Sequence, residues 1–366
     1  MIPWWDVKVE GTELGEISKV LESGFLNEGP ITENLEASFS SFLNVKHTVF
    51  TTSGTIALYL ALKSAGIGPG NLVAVPNLTF IATANAVKLC GAKVLLVDTD
   101  ENTLNISNEA LQIAIKSNHI DALVVVHVSG RSAFSKSLLK TIELNGLRVV
   151  EDAAEAFGSK DPISGKYLGT IGVAGAYSFS PNKVITSGQG GAVVTNDTDI
   201  AQKIRELKDQ GRPKRGTGGA DLHPGEGFNF KFTDLQAAIL TSQFKSMGAR
   251  LQHLRDIYSS YKKSLKINDE GRLLIFDIEN GEVPLWPEYQ SNDREALLSF
   301  LDAKGIGYRR IWHPISSQHH YMTANEMKNS AKSSRSVFWL PSSFNLSKTQ
   351  LELISETLNT FKRVDI

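Results

Sequence analysis

Between residues 48 and 195 the chain alternates short apolar runs with stretches of helical periodicity, and this alternation constrains the fold more than any other feature. The runs at 48–52, 72–75, 94–97, 122–127, 147–150, 173–178 and 191–195 have strand length and are rich in valine. Helical patterns fill 53–62, 81–89, 108–115 and 135–143. Strands joined through helices cannot pair as hairpins, so each crossover lays the next strand parallel to the last and covers a sheet face. The expected fold is α/β, with a mostly parallel central sheet flanked by helices. Ahead of it lies an arm at 1–11 carrying Pro3, Trp4 and Trp5. A helix follows, capped by Thr12 and ended by Gly24, and then a second at 32–43 with Leu35, Phe39 and Phe42 at helical spacing. From about residue 244 the alternation breaks. A long helical stretch (250–265), strands at 273–276, 283–286 and 308–311, a helix at 293–304 and a closing helix to about 361 read as a smaller α+β region. The expected division is 1–245 for the arm and large domain and 246–366 for the small one.

Open α/β sheets carry their ligands beyond the C-terminal ends of the strands. The run at 147–150 leads into Glu-Asp-Ala-Ala-Glu-Ala-Phe-Gly (151–158), which puts Asp152 just past a strand end. Tyr-Ser-Phe-Ser-Pro-Asn-Lys (177–183) then presents Lys183 in a turn, and Ser-Gly-Gln-Gly-Gly (187–191) leads into the next strand. Taken singly, an Asp after a strand is ordinarily a helix cap and a Lys in a turn is ordinarily solvated. Together they match the needs of pyridoxal 5'-phosphate (PLP): an amine that binds its aldehyde and a carboxylate that keeps its ring nitrogen protonated. Ser53, Gly54 and Thr55 open an apolar helix, where free amides and a positive helix end suit a phosphate or plain capping.

These segments resemble the DegT/DnrJ/EryC1/StrS family of sugar aminotransferases, a branch of the fold-type I PLP enzymes. The family carries Glu-Asp-Ala-Ala-x-Ala-x-Gly, then Ser-Phe-x-x-x-Lys, then Gly-x-Gly-Gly, in the order found here. Ser-Gly-Thr-x-Ala-Leu at 53–58 and an Asn-x-Arg-like segment with Ala-Ala at 229–238 extend the match from the first helix to the last. The resemblance implies that Lys183 is the catalytic, cofactor-bearing lysine and that Asp152 holds the pyridinium. It implies that Gly54, Thr55 and Ser178 hold the phosphate, that Phe80 stacks on the ring, and that Glu155 lies near the 3-hydroxyl, where many relatives have Gln. It implies that Asn229 reaches the phosphate of a partner subunit, hence a homodimer with shared sites. Two departures stand out: Gln189 where Glu is usual, and Lys231 where Arg is usual, which keeps a charge but loses the bidentate fork.

The expected reaction converts a keto sugar, nucleotide-linked at a 4-keto or 3-keto hexose, to an amino sugar with L-glutamate as donor, for cell-surface polysaccharide or secondary-metabolite synthesis. Asn27, in the loop 24–30 that resembles a lid, and Arg310 and His313, beside Arg309 and Trp312, are candidate substrate residues. Stacking and phosphate pairing fit the last group, as does mere closure of one domain on the other. A free keto sugar acid is the alternative substrate. A dehydratase of the same fold is disfavoured in its His-for-Lys form by Lys183, a regulator by the retention of Lys183 and Asp152, and a desulfurase by the lack of a loop cysteine. No Gly-x-Gly-x-x-Gly follows the first strand, which disfavours a nicotinamide dehydrogenase. His127, at a strand end, reads as a hydrogen-bonded structural residue. With a net charge of −1 nothing points to nucleic acid, and the single cysteine, Cys90, allows neither an internal disulfide nor a cysteine zinc site, so no metal is expected. No run of about 18 apolar residues and no leader-like N-terminus is present, so a cytoplasmic enzyme without membrane partners is expected.

Overall fold

A computed structural model describes residues 1–213, 222–266, 270–323 and 327–362. Its main sheet has seven strands: β1 (His47–Thr51), β2 (Leu72–Pro76), β3 (Lys93–Val97), β4 (Ala122–Val126), β5 (Arg148–Asp152), β6 (Ala174–Ser178) and β7 (Gly191–Thr195). They lie in the order β1-β7-β6-β5-β4-β2-β3. Only β7 runs against its neighbours; every other pairing in this sheet is parallel. The period-two alternation of side chains sends Val49 to one face and Phe50 to the other, so both faces are buried. The helix Gly54–Ser64 packs on one face through Ala57, Leu58 and Leu60. The other face is an aromatic core of Phe39, Phe50, Phe157, Tyr177 and Phe179.

The register gathers the site. Val126 pairs with Asp152, Asp152 with Ala176, and Ser178 and Thr51 with Gly191. The C-terminal ends of β4, β5 and β6 and the start of β7 thus share one edge of the sheet.

The second sheet has four strands, β8 (Gly271–Leu273), β9 (Glu288–Ser291), β10 (Arg309–Arg310) and β11 (Val337–Trp339), in the antiparallel order β10-β11-β9-β8. The helices Met247–Ser264, Arg294–Ala303 and Lys348–Thr360 cover it, and the last is closed at its start by a Ser347–Gln350 capping box. Three expectations need correction here. Residues 283–286 are not a strand: the strand is Glu288–Ser291, after Pro287, and it was missed because its buried first residue is a glutamate neutralised by Arg131 at 2.7 Å. The strand expected at 273–276 ends at Leu273. The helix Lys328–Ser336 was not anticipated because it has no apolar stripe. The Asp98 carboxylate accepts from the backbone N–H groups of Asn329 and Ser330, and the Ser330 and Ser333 hydroxyls are buried.

Thr12 precedes the first helix but does not cap it; its hydroxyl bonds Ser242 instead at 2.5 Å. The N-terminal arm is docked. Trp4 lies 5.5 Å from Trp286, and the Trp5 indole N–H donates to Pro181 O at 3.0 Å. Of the glycine-rich loop expected at 212–227, residues 214–221 lie outside the described residues. Among the described residues no helix is long and apolar enough to cross a membrane.

Candidate active site

A cavity of about 280 Å³ opens at the gathered strand ends. Its lining brings together Gly54, Thr55, Phe80, Asp152, Glu155, Ser178 and Lys183, seven of the residues singled out from sequence. One wall is the start of the helix Gly54–Ser64. Ser53 caps it, its hydroxyl accepting from Ile56 N–H at 3.3 Å. Gly54 is required by packing: a Cβ there would stand 2.7 Å from Ser178 Cβ. Gly191 is required likewise, since its Cβ would meet Ser53 O at 2.3 Å. The two glycines let a helix start press against the β6–β7 edge, leaving its first amides and the Ser178 hydroxyl around one space.

Asp152 ends β5 and is buried. Its carboxylate accepts from Thr83 Oγ1–H at 2.7 Å and from Ala154 N–H at 3.2 Å. Burial raises its pKa, and those donors with the Lys183 charge only partly oppose the rise. Lys183 follows β6 in a turn closed by its own N–H on Ser180 O at 3.1 Å. Its Nζ is 3.6 Å from Glu155 Oε1 and 4.9 Å from the Trp286 ring. Burial lowers the pKa of this amine, while Glu155 and Asp152 pull it back up. Glu155 accepts from Ser129 N–H at 2.9 Å, and burial pushes its pKa up to about 7.

Residues on and beside the second sheet roof the cavity: Arg309 of β10 and Trp339 of β11, with Trp286 just before β9 and Trp312 just after β10. Trp339 donates its indole N–H to Ser129 Oγ at 3.0 Å, and the Arg309 guanidinium lies 5.1 Å from the Trp4 ring. Neither Trp286 nor Trp339 was expected in the site; they reach it because the second sheet packs over the first. Gln189 also lines the cavity, so the departure from Glu places an amide where a charge is usual.

The remaining candidates sit elsewhere. Arg310 and His313 line an adjoining hollow of about 370 Å³ that shares Phe80, Arg309 and Trp312 with the cavity. Arg310 is exposed and paired with Glu295 at 2.6 Å. Asn27 is outside the cavity lining and accepts from Glu28 N–H through its side chain at 2.8 Å. Asn229 is exposed, also outside that lining, and its backbone bridges Asp209. Lys231 pairs with the Asp209 carboxylate at 2.6 Å. His127 is fully buried; its Nδ1 accepts from Ala133 N–H at 3.1 Å, so its Nε2–H donates to Glu151 at 2.9 Å.

Residues 8–359 match the DegT/DnrJ/EryC1/StrS aminotransferase family. The chain belongs to that family. Among its relatives, the GDP-perosamine synthase of Caulobacter vibrioides is 34% identical over 84% of this chain and 83% of its own. The UDP-N-acetyl-3-dehydro-alpha-D-glucosamine 3-aminotransferase of Acidithiobacillus ferrooxidans is 32% identical over 85% of this chain and 82% of its own. Among solved structures, S. venezuelae DesV, crystallised in complex with a ketimine intermediate, superposes with a TM-score of 0.92 at 29% identity, covering 100% of this chain and 99% of that one. The cavity just described is therefore the candidate active site of an aminotransferase.

Proposed function

We propose that this aminotransferase uses PLP to convert a nucleotide-linked keto sugar to the amino sugar, with L-glutamate as the amino donor. The observation that carries the reading is the convergence of a half-buried amine, a buried strand-end carboxylate and a helix N-terminus on one cavity. The residues fit the cofactor. The cradle formed by Gly54, Thr55 and Ser178 has no room for a Cβ on Gly54 yet keeps amide and hydroxyl donors for a phosphate. Lys183 would bind the aldehyde, Asp152 the ring nitrogen, Glu155 the 3-hydroxyl and Phe80 the ring face. When bound, the cofactor supplies an electron sink for the carbon that exchanges its amino group. The chain's own work is then mainly proton handling. With the cofactor bound, the Lys183 amine would be the group that carries a proton from the substrate carbon to the other end of the exchange. Asp152, held by Thr83 and Ala154, would keep the ring nitrogen charged.

The relatives support a nucleotide-linked substrate, since two of them are named for GDP- and UDP-linked sugars. Arg309 at the cavity and the adjoining hollow offer a cation and an aromatic surface for the linked group. A second reading, a free keto sugar acid, draws on the same arginine as a partner for a carboxylate. Asn229 and Phe80 are exposed in the single chain, which supports a homodimer whose partner completes the site. The test is incubation with L-glutamate and a panel of nucleotide-linked and free keto sugars, read by mass. Replacement of a carbonyl by an amine on a nucleotide-linked sugar is expected. Turnover of free sugar acids alone, with no competition by any nucleoside diphosphate, selects the second reading.

A further inference from the structure

The floor of the cavity is short of positive charge. Asp152 and Glu155 are buried in its lining, and the charge of Glu288, buried outside that lining, acts on Glu155. Arg131 pairs with Glu288 Oε2 at 2.7 Å, which leaves Asp152 and Glu155 to share the ammonium of Lys183. Arg309, at the rim, repels that ammonium. Two buried carboxylates beside one half-buried amine cannot all ionise without leaving an unpaired charge. The two acids are not equally provided. Asp152 has a hydroxyl and an amide donor on separate oxygens. Glu155 has one amide, Ser129 N–H, on Oε2, while its Oε1 faces Lys183 Nζ at 3.6 Å. The acid with fewer donors is the one that takes a proton most readily.

We propose that Glu155 is the proton partner of Lys183, holding a proton at Oε1 that it exchanges with Nζ and thereby setting how much of the amine is neutral. The step is a single proton transfer: the Oε1–H bond breaks as the Nζ–H bond forms, and the reverse, with no other bond changed. The elevated Glu155 pKa and the depressed Lys183 pKa agree with this arrangement. The proposal rests on the reading of Lys183 as the reactive amine. It assigns Glu155 a role that an amide at the same position cannot fill, since an amide carries no exchangeable acid proton.

The test uses the full-length chain freed of cofactor. Methylation of Lys183 by formaldehyde and cyanoborohydride, quantified on its peptide by mass, reports the neutral amine as a function of pH. Replacing Glu155 by Gln removes the charge that favours the ammonium, so the Lys183 curve in E155Q is expected to move about one unit toward lower pH. Below the amine midpoint that shift reads as about a tenfold faster reaction. E155D, which keeps the charge at longer reach, is expected to fall between the two. If E155Q does not fold, E155M, also neutral and of similar length, carries the same expectation. A neutral variant whose curve superimposes on the wild type, or moves to higher pH, overturns the proposal. Borohydride fixation of PLP separates the two levels. Fixation on another lysine overturns the reading of Lys183 itself, whereas fixation on Lys183 with unmoved curves overturns only the role of Glu155.

Discussion

At the residue scale the proposed chemistry rests on two side chains that the fold desolvates. Lys183→Ala removes the amine from the cavity and little packing, so we expect turnover to vanish while circular dichroism and thermal melting stay near wild type. In the wild type, borohydride should fix PLP on the peptide containing Lys183; label elsewhere refutes the assignment. Asp152→Asn keeps the shape and loses the charge opposite the ring nitrogen. We expect turnover to fall by about a hundredfold or more, with faster PLP loss on dialysis; near-normal turnover would reduce Asp152 to a strand-end cap. The paired arginines divide differently from their adjacency in sequence. Arg309 faces the cavity, while Arg310 is exposed and engaged by Glu295, a surface pair worth about 0–1 kcal/mol. Arg309→Met is therefore expected to raise the KM for the sugar substrate by about tenfold or more. Arg310→Met should shift KM less, through the adjoining hollow, and leave stability unchanged. A larger KM effect at Arg310 would move the substrate out of the cavity and into that hollow.

At the scale of elements, Asp234 is decisive. Read from sequence, either it or Thr233 caps the helix Asp234–Lys245. Thr233 does so, in a capping box with Gln236. Asp234 instead accepts from Gly29 N–H, Ile31 N–H, Thr32 N–H and Thr32 Oγ1–H at 2.7–3.2 Å, capping the helix Pro30–Leu43 from a distance of some two hundred residues in sequence. Its own N–H donates to Asn27 O at 3.1 Å. The contact pins the loop that carries Asn27 to the start of that helix. Asp234→Ala strips a buried charged acceptor from several amides, and we expect a loss of about 2–3 kcal/mol in denaturant unfolding. A change below about 0.5 kcal/mol would mean that the helix start is satisfied without it.

At the scale of the whole molecule, the site of one chain is roofed by its own second sheet, yet two implicated residues, Phe80 and Asn229, are exposed in that chain. If a partner subunit completes each site, an inactive Lys183→Ala chain mixed with an inactive Asn229→Asp chain should regain activity. One site of the mixed dimer then carries both lesions and the other neither. No recovery after verified subunit exchange, or full activity of a monomer in solution, would rule out sharing.

What the sequence by itself determined was the class of fold and the meeting of Asp152 and Lys183 at one cavity. Apolar period and crossover length dictate a parallel sheet, and the ends of such strands dictate where Asp152 and Lys183 go, because both are local properties of the chain. The same local signals located the helix start at Ser53, which the fold places in the cavity lining. The second sheet was read less well. Its strand Glu288–Ser291 and the helix Lys328–Ser336 hide polar residues whose partners lie far off in sequence, Arg131 for Glu288 and Asp98 for the start of the helix. Only tertiary packing decided that Trp286 and Trp339 roof the cavity, that Arg309 faces it while Arg310 pairs outside, and that Glu155 rather than Asp152 is the acid left facing the amine. Those outcomes depend on which groups lose water together, and desolvation is a property of the assembled interior that no stretch of chain carries alone.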